Sequence, residues 1–255
     1  LFKFIFLFKI RLVCFLGALG NPSRIIGGSE TTIERYPYMV SLAHTTDFTT
    51  YWHYCGGSIL NSRFILSAAH FLNELPGSSY VSSGGMLYTL NSIVSHPNYN
   101  IVVYEDYDVA VVRTEQYIAF IDNVVEAGFF AGPNYIPPDN QVVWVAGWGT
   151  TESAYPVEPD QLHHVQMWTV NQNTCRENYL NRFGPTMTVT DSMMCAGWLD
   201  VGGRDMCYGD SGGPLSHNGV VVGIASWGRC GQFPDLPGVY ARVSRAIDWI
   251  QENAE

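Results

Sequence analysis

The pattern that most constrains this chain is a series of short β-rich runs separated by turn clusters. Tyr38 to Ala43, Ser58 to Leu60, Phe64 to Ser67, Ile93 to Ser95 and Val109 to Arg113 each hold only a few strand-forming residues. No long helical periodicity interrupts them. Further on, Val142 to Ala146 and Leu162 to Val170 read the same way, while Asn134 to Gln141 and Glu152 to Asp160 read as loops. Evenly spaced short strands point to antiparallel sheet, closed or doubled over, and not to a helix-rich fold. Two stretches depart from this. Asn173 to Asn181 reads as a short helix capped near Asn173 or Thr174. At the end, Val243, Ile247 and Ile250 recur at helical spacing with Trp249 beside them, which predicts an amphipathic helix packed on the second half.

Charge narrows the function. The chain has 255 residues and a formal net charge of −10. Every acid lies beyond residue 24, where the cations are nine arginines and no lysine. Nucleic acid and anionic membrane are therefore poor partners. Compositional drift is one reading of this; the other is selection in an alkaline, protease-rich lumen, where arginine keeps its charge and lysine begins to deprotonate. The apolar stretch from Leu1 to Gly20 has its uninterrupted run at Leu12 to Leu19, too short to span a bilayer and suited to a signal peptide cleaved after Gly20. Charges inside the stretch and the lack of an initiator Met make that start irregular. Asn21 to Arg24 would then be a propeptide.

Chemistry concentrates at Met206-Cys207-Tyr208-Gly209-Asp210-Ser211-Gly212-Gly213-Pro214. A serine between glycines presents its hydroxyl on a tight turn, and the surrounding N–H groups can converge where negative charge develops. Three further motifs accompany it: Arg24-Ile25-Ile26-Gly27-Gly28, Ser67-Ala68-Ala69-His70, and Tyr107-Asp108-Val109-Ala110-Val111-Val112. Asp108 directly precedes the valine-rich run, whereas its neighbours Glu105, Asp106 and Tyr107 do not. A carboxylate at the start of a buried strand needs partners.

These four motifs, in this order, resemble the trypsins of the chymotrypsin-like serine protease family, the insect digestive trypsins above all. The resemblance runs from Ile25 to the C-terminus. It implies an all-β fold of two six-stranded antiparallel β-barrels with a C-terminal α-helix: a first barrel over about 25–120, a second over about 121–240, and a helix over about 243–253. By the same resemblance His70, Asp108 and Ser211 are catalytic, and the Gly209 and Ser211 N–H groups form the oxyanion hole. Asp205 forms the floor of a specificity pocket for Arg or Lys. Met206, Ser226, Trp227, Gly228 and Gly238 line it, and Ser226 also bonds Asp108. Cleavage after Arg24 frees the Ile25 amine to pair with Asp210. The implied disulfides are Cys175–Cys195 and Cys207–Cys230. Cys14 leaves with the signal peptide. Cys55 should keep its thiol, because the position after His70 that normally holds its partner is Phe71; one titratable thiol is expected in the denatured active enzyme.

The expected protein is thus a secreted, monomeric digestive endopeptidase acting on polypeptides. Its partners are an activating protease or another copy of itself, and protein protease inhibitors. No cofactor is expected. The His70–Asp108 interval is shorter than in vertebrate trypsins, so no calcium or other metal is expected either. Asp47, His53, His96, Asp106, His163 and His164 have no metal-ligand spacing and read as surface or loop residues. Residues 1–24 hold no disulfide-rich module of the kind that regulatory proteases carry. Two other readings stay open. Met206, where trypsins have a small or polar residue, and a rim about one residue short between Gly228 and Cys230 could alter the primary specificity. The lost disulfide could instead mark an inactive homologue that acts as a binding module.

Overall fold

In the computed structural model, residues 6–9, 25–44, 52–73, 86–150 and 161–255 are described. Asp47, Cys14, Arg24 and the Glu152–Asp160 loop lie outside them. The strands in chain order are β1 (Phe6–Lys9), β2 (Ser29–Glu30), β3 (Met39–His44), β4 (Trp52–Ile59), β5 (Phe64–Ser67), β6 (Leu87–Ser95) and β7 (Ala110–Thr114). They continue as β8 (Phe129–Phe130), β9 (Val142–Gly147), β10 (His163–Val170), β11 (Met193–Gly197), β12 (Pro214–His217), β13 (Val220–Trp227) and β14 (Gly238–Arg242). The helices are α1 (Gln172–Phe183) and α2 (Val243–Asn253).

Six strands close the first barrel in the order β1-β3-β4-β5-β7-β6. The second follows β11-β14-β13-β12-β9-β10, and β10 closes that ring by pairing its C-terminal half with β11. All of these ladder pairings are antiparallel, as expected. Two short strands sit outside the rings: β2 joins the edge of β10, and β8 lies parallel to β13.

The boundary expected at residue 25 does not coincide with that of the first barrel. Its first strand, β1, comes from the stretch read as a leader and fills the place between β3 and β6. Phe6-Leu7-Phe8 are strand formers by composition, a feature that a hydropathy reading of the same residues absorbs into an apolar leader. Just after residue 25, β2 joins the edge of the second barrel and not the first.

Alternation along the strands sends Val40, Leu42, Ile65, Val112, Val143, Val145, Leu215 and Ile224 into a continuous apolar core. Helix α2 buries Val243, Ala246, Ile247 and Ile250 as one stripe, as its periodicity requires. It bridges both barrels and does not pack on the second alone. Trp249 meets the His96 ring edge-on at 4.8 Å, and Asn61 Nδ2 donates to the Ala254 carbonyl at 2.8 Å. Helix α1 is longer than expected, starting one residue earlier, and its cap, Asn171, lies two residues before Asn173. Asn171 accepts from the N–H groups of Asn173 and Thr174, and Gly184 ends the helix at φ 73°. The Cys175–Cys195 disulfide ties α1 to β11, behind a second apolar cluster of Tyr179, Val189, Trp227 and Val239.

Candidate active site

The site forms where the two barrels meet. Asp108 lies just before β7 and has no exposed surface. Its Oδ1 accepts from the Ala69 and His70 N–H groups at 2.6 and 2.8 Å. Its Oδ2 accepts from His70 Nδ1 and from Ser226 Oγ, both at 2.6 Å. Four donors fill the lone-pair sites of a carboxylate. Because Asp108 only accepts, Nδ1 of His70 must carry its proton, and the acceptor lone pair falls on Nε2. Ala68 and Ala69, both fully buried, let the backbone approach closely enough to donate.

Ser211 and His70 line one cleft of about 450 Å³, together with Tyr104, Glu105, Met206, Ser226, Trp227 and Gly228. Around Ser211 the backbone donors divide into two groups. Asp210 N–H bonds to the Cys207 carbonyl, Gly212 N–H to Ala225 and Gly213 N–H to Asp210. Among the described residues, the N–H groups of Gly209 and Ser211 make no such bond. Gly209 adopts φ 90°, which only glycine takes readily. Its carbonyl is held by Nε2 of His53 at 2.7 Å, while Nδ1 of His53 accepts from Ser41 at 2.7 Å.

His53 is therefore a site residue that sequence reasoning placed on the surface. It is buried on β4, and burial pulls its pKa down to about 4. His96, His163 and His164 are also buried: His164 bonds the Tyr36 hydroxyl, and His96 stacks on Tyr107. Asp106 accepts from Thr190 and Ser192 across the barrel interface and is half-buried. A lone histidine has no sequence signature of its surroundings. Only the alternation of β4, with His53 and Cys55 on the same side of the pleat, hints that this one faces inward.

Asp210 is fully buried. It accepts from Gly149 N–H and Cys207 N–H, each at 2.9 Å. Burial raises its carboxyl to about 7, against the pull of those two donors. Gly147, which ends β9, and Gly149 explain themselves here: a Cβ on either glycine would overlap the Asp210 carboxylate. Ile25 is also fully buried, and Ile26 bridges to Asp205.

Asp205 is 1% exposed. Gly231 N–H donates to its Oδ2 at 2.8 Å, but its Oδ1 is buried with no hydrogen-bond partner among the described residues. Burial raises this carboxyl to about 8. A Cβ on Gly238 would overlap Oδ1, and one on Gly228 would come within 3.6 Å of Oδ2. The same hypothetical Gly228 Cβ would lie 3.7 Å from Met206 Cε, so Met206 occupies part of the pocket wall. The Cys207–Cys230 disulfide closes the wall behind it. Beyond the end of β13, Gly228 makes no backbone hydrogen bond among the described residues, which leaves an edge open to an extended chain.

One ligand-like grouping exists among the described residues. His70, Glu105 and Asp108 bring side-chain ligand atoms within 4.8 Å of one another. The Asp108 oxygens are already saturated and His70 Nδ1 already faces one of them, so the arrangement suits proton handling better than cation binding. Cys55 lies buried on β4 outside either disulfide and keeps its thiol.

Comparison with known proteins agrees with this geometry. The family model described as Trypsin matches residues 25–250. "Trypsin, alkaline C" of Manduca sexta is 50% identical over 242 residues, covering 92% of each chain. "Trypsin CFT-1" of Choristoneura fumiferana is 49% identical over 239 residues, covering 91% of each. "Achelase-1" of Lonomia achelous is 43% identical over 241 residues, covering 90% of this chain and all of that one. With a family match across most of its length and relatives this similar, the chain belongs to the trypsin family and is a trypsin-like serine protease.

Proposed function

We propose that this protein is a secreted digestive endopeptidase that cleaves polypeptides after Arg or Lys. The observation that carries the reading is Asp205: a buried carboxyl, next in the chain to the cleft residue Met206, whose Oδ1 has no partner among the described residues and on which Gly228 and Gly238 press no Cβ. An unmet buried acid favours a cationic substrate side chain and penalises one that leaves it unpaired, by roughly 10⁴.

In the proposed reaction, Ser211 Oγ attacks the scissile carbonyl carbon as His70 Nε2 takes its proton. Asp108 holds the Nδ1–H tautomer and stabilises the imidazolium. The carbonyl oxygen becomes an oxyanion held by the Gly209 and Ser211 N–H groups. Collapse breaks the C–N bond while His70 returns the proton to the leaving amine. Water then attacks the acyl-enzyme by the same relay and frees the acid.

Activation by cleavage after Arg24 has physical support of its own. Ile25 sits at φ 49°, a region where a β-branched residue is strained by the preceding carbonyl. Cutting the Arg24–Ile25 bond removes that carbonyl and creates an ammonium on a buried residue. Its proposed partner is Asp210, whose raised carboxyl signals an unmet charge. The leader reading and β1 compete for the same residues, and the intact mass of the mature protein decides between them. Protein protease inhibitors would occupy the same cleft.

The test is protein cut after Arg24, assayed on matched peptides ending in Arg, Lys, Phe or Leu, with Ser211→Ala as control. Fast release after Arg or Lys only, lost in the control, is expected. Release after Phe or Leu would show that Met206 and the rim have rewritten the pocket. Silence on every peptide would leave an inactive homologue.

A further inference from the structure

The cleft has a second buried acid that the reaction does not use. Glu105 stands three residues before Asp108, on a loop that takes positive φ at both Glu105 (53°) and Tyr107 (51°). This turn lets Glu105 line the cleft with His70, Tyr104, Ser211 and Trp227, although it is only 8% exposed. The Tyr99 hydroxyl donates to its Oε2 at 2.7 Å. Among the described residues no arginine forms an ion pair with it. Burial, then the charge of Asp108, raises its carboxyl above the ordinary range, while the Tyr99 and Tyr104 hydroxyls and His70 pull it down only in part.

The position of this acid relative to Asp205 matters. A substrate laid along Ser226, Trp227 and Gly228 as an added strand presents successive side chains to opposite sides. The residue before the scissile bond turns into the Asp205 pocket. The residue preceding it points away from that pocket, into a cleft that Tyr104, Glu105 and His70 also line. Tyr104 also meets the Trp227 ring edge-on at 6.3 Å, so two aromatic faces flank the path of a long aliphatic stem that ends at a carboxylate.

We infer that Glu105 is a specificity-determining residue that selects a basic side chain immediately before the scissile Arg or Lys, so that paired basic residues are the favoured cleavage sites. The inference rests on the reading of Asp205 given above, and the test separates the two. Peptides of the form Gly-X-Arg, with X as Arg, Lys, Gln or Glu and a common leaving group, are compared by kcat/KM. A companion pair, Gly-Gln-Arg and Gly-Gln-Leu, reads the Asp205 pocket alone. A third control moves the extra Arg two residues further upstream.

The expected result is an X = Arg over X = Gln ratio of about tenfold or more, with X = Glu the poorest, as charge pairing at a partly buried carboxylate gives. Glu105→Gln, which keeps an acceptor for Tyr99, should bring that ratio near one, and Glu105→Arg should reverse the order of Arg and Glu. A purely structural role would lower all substrates together and leave the ratio intact, which overturns the inference. So does a flat wild-type profile, or an equal gain from the upstream Arg, which would reflect the protein's net negative charge. If Gly-Gln-Leu matches Gly-Gln-Arg while the X ratio holds, the Asp205 reading fails and Glu105 stands.

Discussion

Replacing Asp205 by Asn keeps the shape of the proposed pocket floor and removes its charge. The structure sets the size of the effect. Burial carries the Asp205 carboxyl from an ordinary 3.8 to about 8, even though Gly231 and Met206 N–H groups pull it down. Holding that charge with Oδ1 unpartnered therefore costs roughly 6 kcal/mol, at about 1.4 kcal/mol per pH unit. A substrate guanidinium recovers most of this cost on binding. Asp205→Asn should then lower kcat/KM on Arg peptides by about 10⁴ and leave Leu peptides within about tenfold. The sign of the pH dependence follows. The ionised form is the one that binds a cation, and the free carboxyl ionises only as pH rises through about 8. The ratio of kcat/KM for Arg over Leu should climb between about pH 6 and pH 9 in the wild type and stay level in Asp205→Asn. Taking the ratio cancels the titration of groups that both substrates share. An Arg preference that survives the substitution, or a wild-type ratio flat across that range, would refute the reasoning.

Three further outcomes follow from the same geometry. Gly238→Ala places a Cβ where Asp205 Oδ1 stands, so hydrolysis of Arg peptides should fall about a hundredfold or more, while a small acetyl ester that never enters the pocket should still be turned over. His53→Phe leaves the Gly209 carbonyl and the Ser41 hydroxyl without their partner, a loss of about 1–3 kcal/mol; kcat should drop about ten- to a hundredfold with KM little changed, and a kcat within about twofold of wild type would detach His53 from the oxyanion donors. Asp210 binds its proton more tightly when folded than when unfolded, so uncut Arg24→Gln protein should lose stability as pH rises from about 4 to about 7, on the order of 4 kcal/mol; cutting the wild-type chain supplies an ammonium and should flatten that decline in a melting series.

Much of this was open to a reader of the sequence, and the exceptions share a cause. Ser211, His70 and Asp108 sit in local motifs whose small neighbours serve the close backbone approach that they need. The cysteine pairs and the α2 stripe were equally readable. What was hidden depends on residues far apart in the chain. His53 matters because Gly209, 156 positions away, offers it a carbonyl. Gly147 and Gly149 look like ordinary turn glycines until the Asp210 carboxylate is seen to fill the space that their side chains would need. Asn171 was missed as a cap because Asn173 and Thr174 are equally suitable by type, and only the backbone shows which one precedes the first turn. Glu105 reads as one of several loop acids until two positive-φ residues turn it into the cleft. The strand at Phe6–Lys9 was hidden for the opposite reason: its apolar character satisfied another reading first.

The distribution of charge ties these features together. The chain's arginines beyond residue 24 are largely spent on aromatic faces: Arg35 lies over Trp144, Arg63 over Tyr117, Arg182 over Phe233, Arg204 over Trp198 and Arg229 over Phe183. Among the described residues the ion pairs between arginines and acids, Arg176–Asp191 and Arg182–Asp235, are solvent-accessible and contribute little. Meanwhile Asp205, Asp210 and Glu105 are buried with raised carboxyls and, among the described residues, no arginine paired with them. Each has a proposed cation from elsewhere: the substrate side chain, the amine created by activation, and the next basic residue of the substrate. Such a cleft is fully charged only toward alkaline pH, where Asp205 has ionised. That is also the range in which a lysine surface would begin to lose its charge and an arginine one would not. The lysine-free sequence beyond Lys9 and the high-titrating pocket therefore favour the same working range, although one was read from composition and the other from geometry.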